Sequence, residues 1–197
     1  MNKMPHRTHW TAAILLASVC VLLTGGFPAE ARVFMSREQA LRQVLGEGAE
    51  FRRESVFPTR EQVAGARTLA GKGVEIGEAP RTRYTAWKDG ALIGTAYLDT
   101  HLVRTLPQTV LVFVHPSGEL RAIEILSFGE PEEYLPRKKW LLQFNDKALD
   151  DSLAIGGKIH GMTGATLSAH AVTDAARRTL ALHQVLEADE TAKEAAP

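Results

Sequence analysis

The sequence predicts an α+β domain, in which an antiparallel sheet lies between N-terminal and C-terminal helices. Two β-hairpin patterns occupy the centre of the chain, and amphipathic helix patterns lie on both sides of them. Strand and helix patterns that are segregated along a chain are typical of this class. The 197 residues have a formal net charge of zero and 45% hydrophobic residues, which suits one globular domain and gives no basic field for nucleic acid.

The first 31 residues have the pattern of an export signal. Lys3 and Arg7 precede an apolar run over residues 11–23, and Ala29-Glu30-Ala31 is a small-x-small cleavage site. The apolar run is shorter than the roughly 20 residues that span a bilayer. We therefore expect a signal peptide over residues 1–31 and an extracytoplasmic (periplasmic) mature chain, soluble or membrane-associated. The alternative is an uncleaved N-terminal anchor in the inner membrane.

The single cysteine, Cys20, lies inside this apolar run. Val19 precedes it, whereas a lipoprotein signal needs a small residue there. If cleavage follows the small-x-small site, the mature chain has no disulfide, no thiolate nucleophile and no cysteine-bound metal cluster.

Residues 32–80 are predicted as an N-terminal helical segment and loop. Ser36 and Gln39 match a capping box before a stripe of apolar residues. A second short helix is expected from about Thr59, followed by a loop rich in glycine.

The two hairpins follow. Residues 83–88 and 91–98 flank Asp89-Gly90, a dipeptide typical of a two-residue hairpin turn. Residues 109–114 and 119–126 flank a second turn. These strands predict the sheet of a domain over residues 81–188.

Two more helices complete the prediction. Residues 137–144 form a short one, and residues 168–188 form the longest, with small and apolar side chains on one face. Residues 189–197 are expected to be a frayed tail.

A short turn directly before the last helix carries the chemistry. It reads Thr163-Gly164-Ala165-Thr166, and Ser168 follows. A helix start offers unpaired N–H groups and a partial positive charge, which suit a phosphate. Glycine lets the backbone approach a ligand closely. The turn therefore predicts a phosphate site with a candidate acceptor hydroxyl, and the alternative is that Thr166 is an ordinary helix cap.

The same four residues resemble the Ser/Thr-Gly-Ala-Thr/Ser core of the FMN-binding domain family. That family includes the G subunit of the Rnf complex and the C subunit of the sodium-translocating NADH:quinone reductase. In it, a flavin transferase uses FAD to esterify the last hydroxyl of the core to the phosphate of FMN. The resemblance covers about residues 84–183. It implies a twisted antiparallel sheet flanked by helices, and Thr166 as the residue that carries covalent FMN.

Other residues are expected around such a cofactor. Where the family usually has Asp, this chain has His160, which could contact the phosphate or ribityl chain or could be a solvated turn residue. Trp140, Tyr134 or Phe128 could stack on the flavin ring, with core packing as the alternative for each. Arg104 could face the cofactor or lie in a solvated loop. The spacing of the histidines predicts no metal site.

The resemblance implies an exported flavoprotein for electron transfer, rather than a stand-alone enzyme with its own catalytic residues. Its expected partners are the flavin transferase and a membrane redox complex or another electron carrier. The alternative is a non-redox ligand-binding or accessory module that retains the fold.

Overall fold

The computed structural model describes residues 31–195. Apart from Ala31, the predicted export signal lies outside the described residues, as do the last two residues of the predicted tail. The unit from Ala31 onward is one compact body, so residues 32–80 and 81–188 share a single fold.

In the part of the chain that the structure describes, six antiparallel strands form one sheet in the order β1-β6-β5-β4-β3-β2. The strands are β1 Arg32–Val33, β2 Glu50–Val56, β3 Arg81–Lys88, β4 Ala91–Leu102, β5 Pro107–Val114 and β6 Leu120–Phe128. Both predicted hairpins are confirmed, as β3–β4 and β5–β6. Asp89 and Gly90 have φ of 52° and 78°, because a tight turn between twisted strands needs positive φ at both central residues.

Within residues 31–195, four α-helices accompany the sheet, and the α+β prediction is confirmed. They are α1 Arg37–Leu45, α2 Arg60–Ala70, α3 Lys138–Leu141 and α4 Thr166–Glu194, with 3₁₀ turns at Glu132–Tyr134 and Leu142–Phe144. Ser36 caps α1 and Thr59 caps α2, each in a complete capping box with the glutamine three residues later. These reciprocal side-chain bonds satisfy helix N–H groups that have no intrahelical partner.

Alternate residues of β5 build the two cores. Val110 and Val112 point to one face and pack in a layer with α4, while Leu111 and Phe113 point to the other face, where Leu41 of α1 packs. Side chains alternate in this way along any strand. The α4 residues of the first layer are Val172, Ala175, Ala176, Leu180 and Leu186. Because α2 packs against α4 as well, α4 is buried along most of its length.

The structure differs from the sequence prediction at both ends of the domain. The segment 32–80 also contains a strand, β2, which pairs with β3 at the edge of the sheet. Its exposed Arg52 and Arg53 hide the strand pattern, as charges on edge strands commonly do. The tail is helical through Glu194, because Gln62 Nε2 donates to Asp189 Oδ2 at 2.6 Å and Arg83 Nη2 donates to Glu190 Oε1 at 2.7 Å.

Candidate functional site

The start of α4 has free hydrogen-bond donors. Thr166 is the first helical residue, and Ala165 occupies the N-cap position without a side-chain cap. Among the described residues, the N–H groups of Thr166, Leu167 and Ser168 donate no hydrogen bond. Thr166 is therefore not the helix cap, and the helix start is open to an anionic ligand.

The turn before α4 depends on Gly164. Its φ is 80°, and a Cβ built there would meet nothing within 4 Å. Conformation rather than lack of space therefore requires glycine at this position. The Ala165 N–H donates to Met162 O at 3.2 Å, which closes the turn and leaves the Thr166 side chain exposed.

This open helix start forms one wall of a pocket of about 320 Å³. The lining residues are Gly164, Ala165, Thr166, Leu167 and Ser168 on the helix side, and Val103, Arg104, Glu130 and Tyr134 on the other. The volume falls at the lower end of the roughly 300–1,000 Å³ that is usual for small-molecule sites. The structure thus brings six of the predicted candidates together in one cavity: Arg104, Tyr134, Gly164, Ala165, Thr166 and Ser168.

Ser168 contributes a buried polar atom to this pocket. The residue is 1% exposed, and its Oγ has no hydrogen-bond partner among the described residues. Buried hydroxyls in folded proteins nearly always have a partner, so one without a partner needs an explanation. A ligand oxygen in the pocket would provide the missing partner.

The opposite wall is held together by Glu130. Its Oε1 accepts from the backbone N–H groups of Thr105 at 2.7 Å, Leu106 at 2.9 Å and Arg104 at 3.2 Å. These bonds, above all that from Thr105, lower the pKa of Glu130, so the carboxylate stays ionised. The turn that carries Arg104 is therefore fixed by a side chain from the segment after β6.

Trp140 and His160 lie outside the pocket lining. The Trp140 Nε1–H donates to His160 O at 2.8 Å, and the His160 N–H donates to Gln143 Oε1 at 2.8 Å. The indole also packs edge-to-face on Phe144, with ring centroids 5.3 Å apart. The structure therefore gives Trp140 and the His160 backbone the role of fixing the chain that leads to the turn.

The remaining predicted residues have clear positions. Thr163 is exposed in the turn but does not line the pocket. Of the other two aromatic candidates, Phe128 is buried in the core, whereas Tyr134 is 38% exposed and lines the pocket. Tyr134 is thus the aromatic side chain that the structure places in the lining.

Outside the pocket lining, a buried polar network joins β4 to α4. Asp99 Oδ2 accepts from Arg178 Nε at 2.7 Å, and Oδ1 accepts from Arg178 Nη2 at 2.8 Å and from His101 Nδ1 at 2.7 Å. Burial disfavours the charge, but the hydrogen bonds from Arg178 and His101 outweigh it and hold the pKa of Asp99 well below its usual range. The sequence interpretation missed this network. An acidic residue within an apolar strand pattern is the signal that could have indicated a buried partner.

The described residues show neither a membrane span nor a metal site. In the part of the chain that the structure describes, no helix combines the length and apolar character needed to cross a bilayer. Within residues 31–195, no three His, Cys, Asp or Glu side chains are grouped as metal ligands.

A protein-family comparison identifies part of the chain. The sequence model of the FMN-binding domain family matches residues 106–181, and no curated protein matches the chain. The matched segment runs from the start of β5 into α4, and it contains the Glu130 and Tyr134 side of the pocket as well as the turn at Gly164. Residues 106–181 therefore match the FMN-binding domain family, and this domain match suggests a flavoprotein.

Proposed function

We propose that the protein is an exported flavoprotein that carries FMN through a phosphoester on Thr166 Oγ1 and transfers electrons outside the cytoplasm. One observation carries the proposal. Thr166 is an exposed hydroxyl at an uncapped helix start, on the wall of a pocket that lies largely within the matched segment.

The residues of the pocket fit a flavin phosphate. The free N–H groups at the start of α4 are donors for phosphate oxygens, and the unpartnered Ser168 Oγ adds a hydroxyl. Gly164 keeps the approach to these groups free of a side chain. Val103 and Tyr134 supply an apolar and an aromatic surface for the rest of the cofactor.

Attachment would be a substitution at phosphorus. The Thr166 hydroxyl loses its proton and displaces AMP from FAD, so that a P–O bond to Oγ1 replaces the pyrophosphate bond. A flavin transferase would bring FAD to the exposed hydroxyl. A covalent tether suits a protein outside the cytoplasm, because a dissociated cofactor would be lost there.

The bound flavin would supply the redox chemistry, while the chain binds the cofactor, orients it and tunes its surroundings. In this arrangement the protein needs no catalytic acid or base of its own. The electron partner would be a membrane redox complex or another carrier. N-terminal sequencing of protein taken from the cell envelope tests export: a start at Arg32 supports a cleaved signal, and an intact N-terminus supports the anchor.

The attachment site is tested by co-expressing the full chain with a flavin transferase. After denaturation, the wild-type band should retain flavin fluorescence, and the peptide that contains Thr166 should carry the mass of FMN less one water. Thr166→Ala should abolish the adduct, and Thr166→Ser should keep it. Thr163→Ala is the matched control, because this exposed hydroxyl lies in the same turn but outside the pocket lining. It should lower the yield without moving the adduct.

Each other outcome has a clear meaning. An adduct that persists in Thr166→Ala refutes the attachment residue. Flavin that leaves the wild-type protein on denaturation indicates noncovalent binding. Protein from the native envelope without any flavin would favour the alternative, a non-redox ligand-binding or accessory module.

A further inference from the structure

The pocket has an unusual distribution of charge. Among the described residues, Arg104 and Glu130 are the only charged side chains in its lining. Both lie on the wall opposite the Gly164 turn, so the helix side offers only backbone N–H groups and hydroxyls.

The Glu130 carboxylate forms its hydrogen bonds with the protein backbone. One of its carboxylate oxygens already accepts from three backbone N–H groups of the turn that follows β4. The Val103 N–H also donates to Leu106 O at 3.1 Å, which closes the same turn. Gly129 lets the two segments approach closely, since a Cβ there would lie 2.9 Å from Leu106 Cβ. The turn is therefore fixed from two sides.

Among residues 31–195, the guanidinium of Arg104 has no carboxylate partner. None of the ion pairs within 4.0 Å among the described residues includes it. The residue is exposed, it lines the pocket, and its backbone N–H is one of the three that Glu130 binds. The backbone of Arg104 is thus held in place, while its guanidinium forms no ion pair with the described residues.

A phosphate bound at the start of α4 would need such a cation. The helix terminus supplies only about half a unit of positive charge, whereas a phosphodiester carries a full negative charge. Arginine pairs with phosphate through two parallel N–H donors, which gives both charge balance and orientation.

We propose that Arg104 binds the phosphate of the cofactor at Thr166, and that Glu130 is a positioning residue that holds the Arg104 turn. This inference rests on the proposed function, which it extends to the second wall of the pocket.

The test separates phosphate from ring by comparing FMN with riboflavin, which lacks the phosphate. The full chain with Thr166→Ala, which cannot form the ester, is titrated with each flavin, and the quenching of flavin fluorescence is followed. Adding Arg104→Gln should weaken FMN binding by roughly 10- to 100-fold, the range for a lost charged hydrogen bond. It should leave riboflavin binding unchanged, and Arg104→Lys should restore part of the FMN affinity. Arg60→Gln, at a cation whose side chain is 86% exposed on α2, is the control and should change neither.

The opposing results are distinct. Equal losses for both flavins, or no loss for either, overturn the role of Arg104 but leave the Thr166 ester intact. If the Thr166→Ala parent binds neither free flavin, the yield of adduct in the otherwise wild-type chain becomes the readout. Arg104→Gln should then lower that yield and Arg104→Lys should recover it, and an unchanged yield overturns the inference. An adduct that is absent from wild-type protein refutes the proposed function instead.

A double-mutant cycle tests Glu130. Glu130→Gln keeps an acceptor oxygen but weakens the three bonds to the turn. It should lower FMN affinity when Arg104 is present and cause no loss in the Arg104→Gln background. Purely additive effects would refute the positioning role. Circular dichroism melting of each variant verifies that the fold persists.

Discussion

The buried pair of Asp99 and Arg178 holds the helix of the candidate site against the sheet. We predict that Asp99→Asn strongly destabilises the protein. The change conserves shape but removes the negative charge that faces Arg178 at 2.7 and 2.8 Å and His101 at 2.7 Å. Arg81 also lies 3.7 Å from the same carboxylate.

The magnitude follows from burial. Asp99 is 3% exposed and Arg178 is 9% exposed, so solvent cannot replace the lost partner. Breaking a buried pair by removing one member typically costs about 3–5 kcal/mol, because the other charge stays buried and uncompensated. We expect a loss of this size in the free energy of unfolding, which is a large share of the roughly 5–15 kcal/mol of a typical domain.

Urea unfolding followed by circular dichroism at pH 7 measures this loss. The matched control is Glu78→Gln, which removes a carboxylate 3.8 Å from Arg60 where the two side chains are 58% and 86% exposed. Exposed pairs contribute less than about 1 kcal/mol, so the control should unfold almost as the wild type does. If Asp99→Asn loses less than about 1 kcal/mol, the pair does not hold α4 in place and the reasoning fails.

Two further predictions concern stability. Burial, with a further contribution from nearby Arg83, lowers the pKa of His183 from 6.5 to about 4, so neutral His183 accepts from the Tyr97 hydroxyl at 3.0 Å. Between pH 6.5 and 4 the unfolded chain therefore binds a proton that the folded chain does not, and the free energy of unfolding should fall by roughly 3 kcal/mol on acidification. In urea titrations, His183→Gln should flatten the dependence of the free energy of unfolding on pH over this range. An unchanged dependence would contradict the assignment. Gly94→Ala should cost about 1–3 kcal/mol in the same assay, because φ is 151° and a Cβ would lie 2.8 Å from the Val114 carbonyl oxygen. Its control is Gly65→Ala, inside α2, where a Cβ would meet only an ordinary contact at 3.5 Å and the helix should tolerate the change. Equal losses in the free energy of unfolding for both variants would count against the close approach at Gly94.

Local patterns predicted much of the fold because the interactions behind them span few residues. The capping boxes at Ser36 and Thr59 join residues three apart, and the turn at Asp89 and Gly90 needs only two residues with positive φ. Both hairpins and the order of sheet and helices follow from such signals. The turn at Gly164 is equally local, so the helix side of the pocket could be read from the sequence.

The edges of the fold were decided by tertiary contacts. The strand β2 consists largely of polar and charged residues and becomes a strand because β3 offers it a free edge. The end of α4 stays helical because Asp189 and Glu190 bind side chains of Gln62 and Arg83, which are more than 100 positions away in the chain. Neither partner is visible from the sequence around the element itself.

The sequence by itself thus determined the helix side of the site, whereas for the other wall it named Tyr134 and Arg104 only among several candidates, and the tertiary structure decided between them. Glu130 lies 24 to 26 positions from the N–H groups that it binds, and Asp99 lies 79 positions from Arg178. Periodicity and capping report on neighbours within about one turn of helix or one hairpin. Contacts over longer separations depend on how whole elements pack, and for this reason Trp140 lies outside the pocket lining while Tyr134 and Arg104 line it.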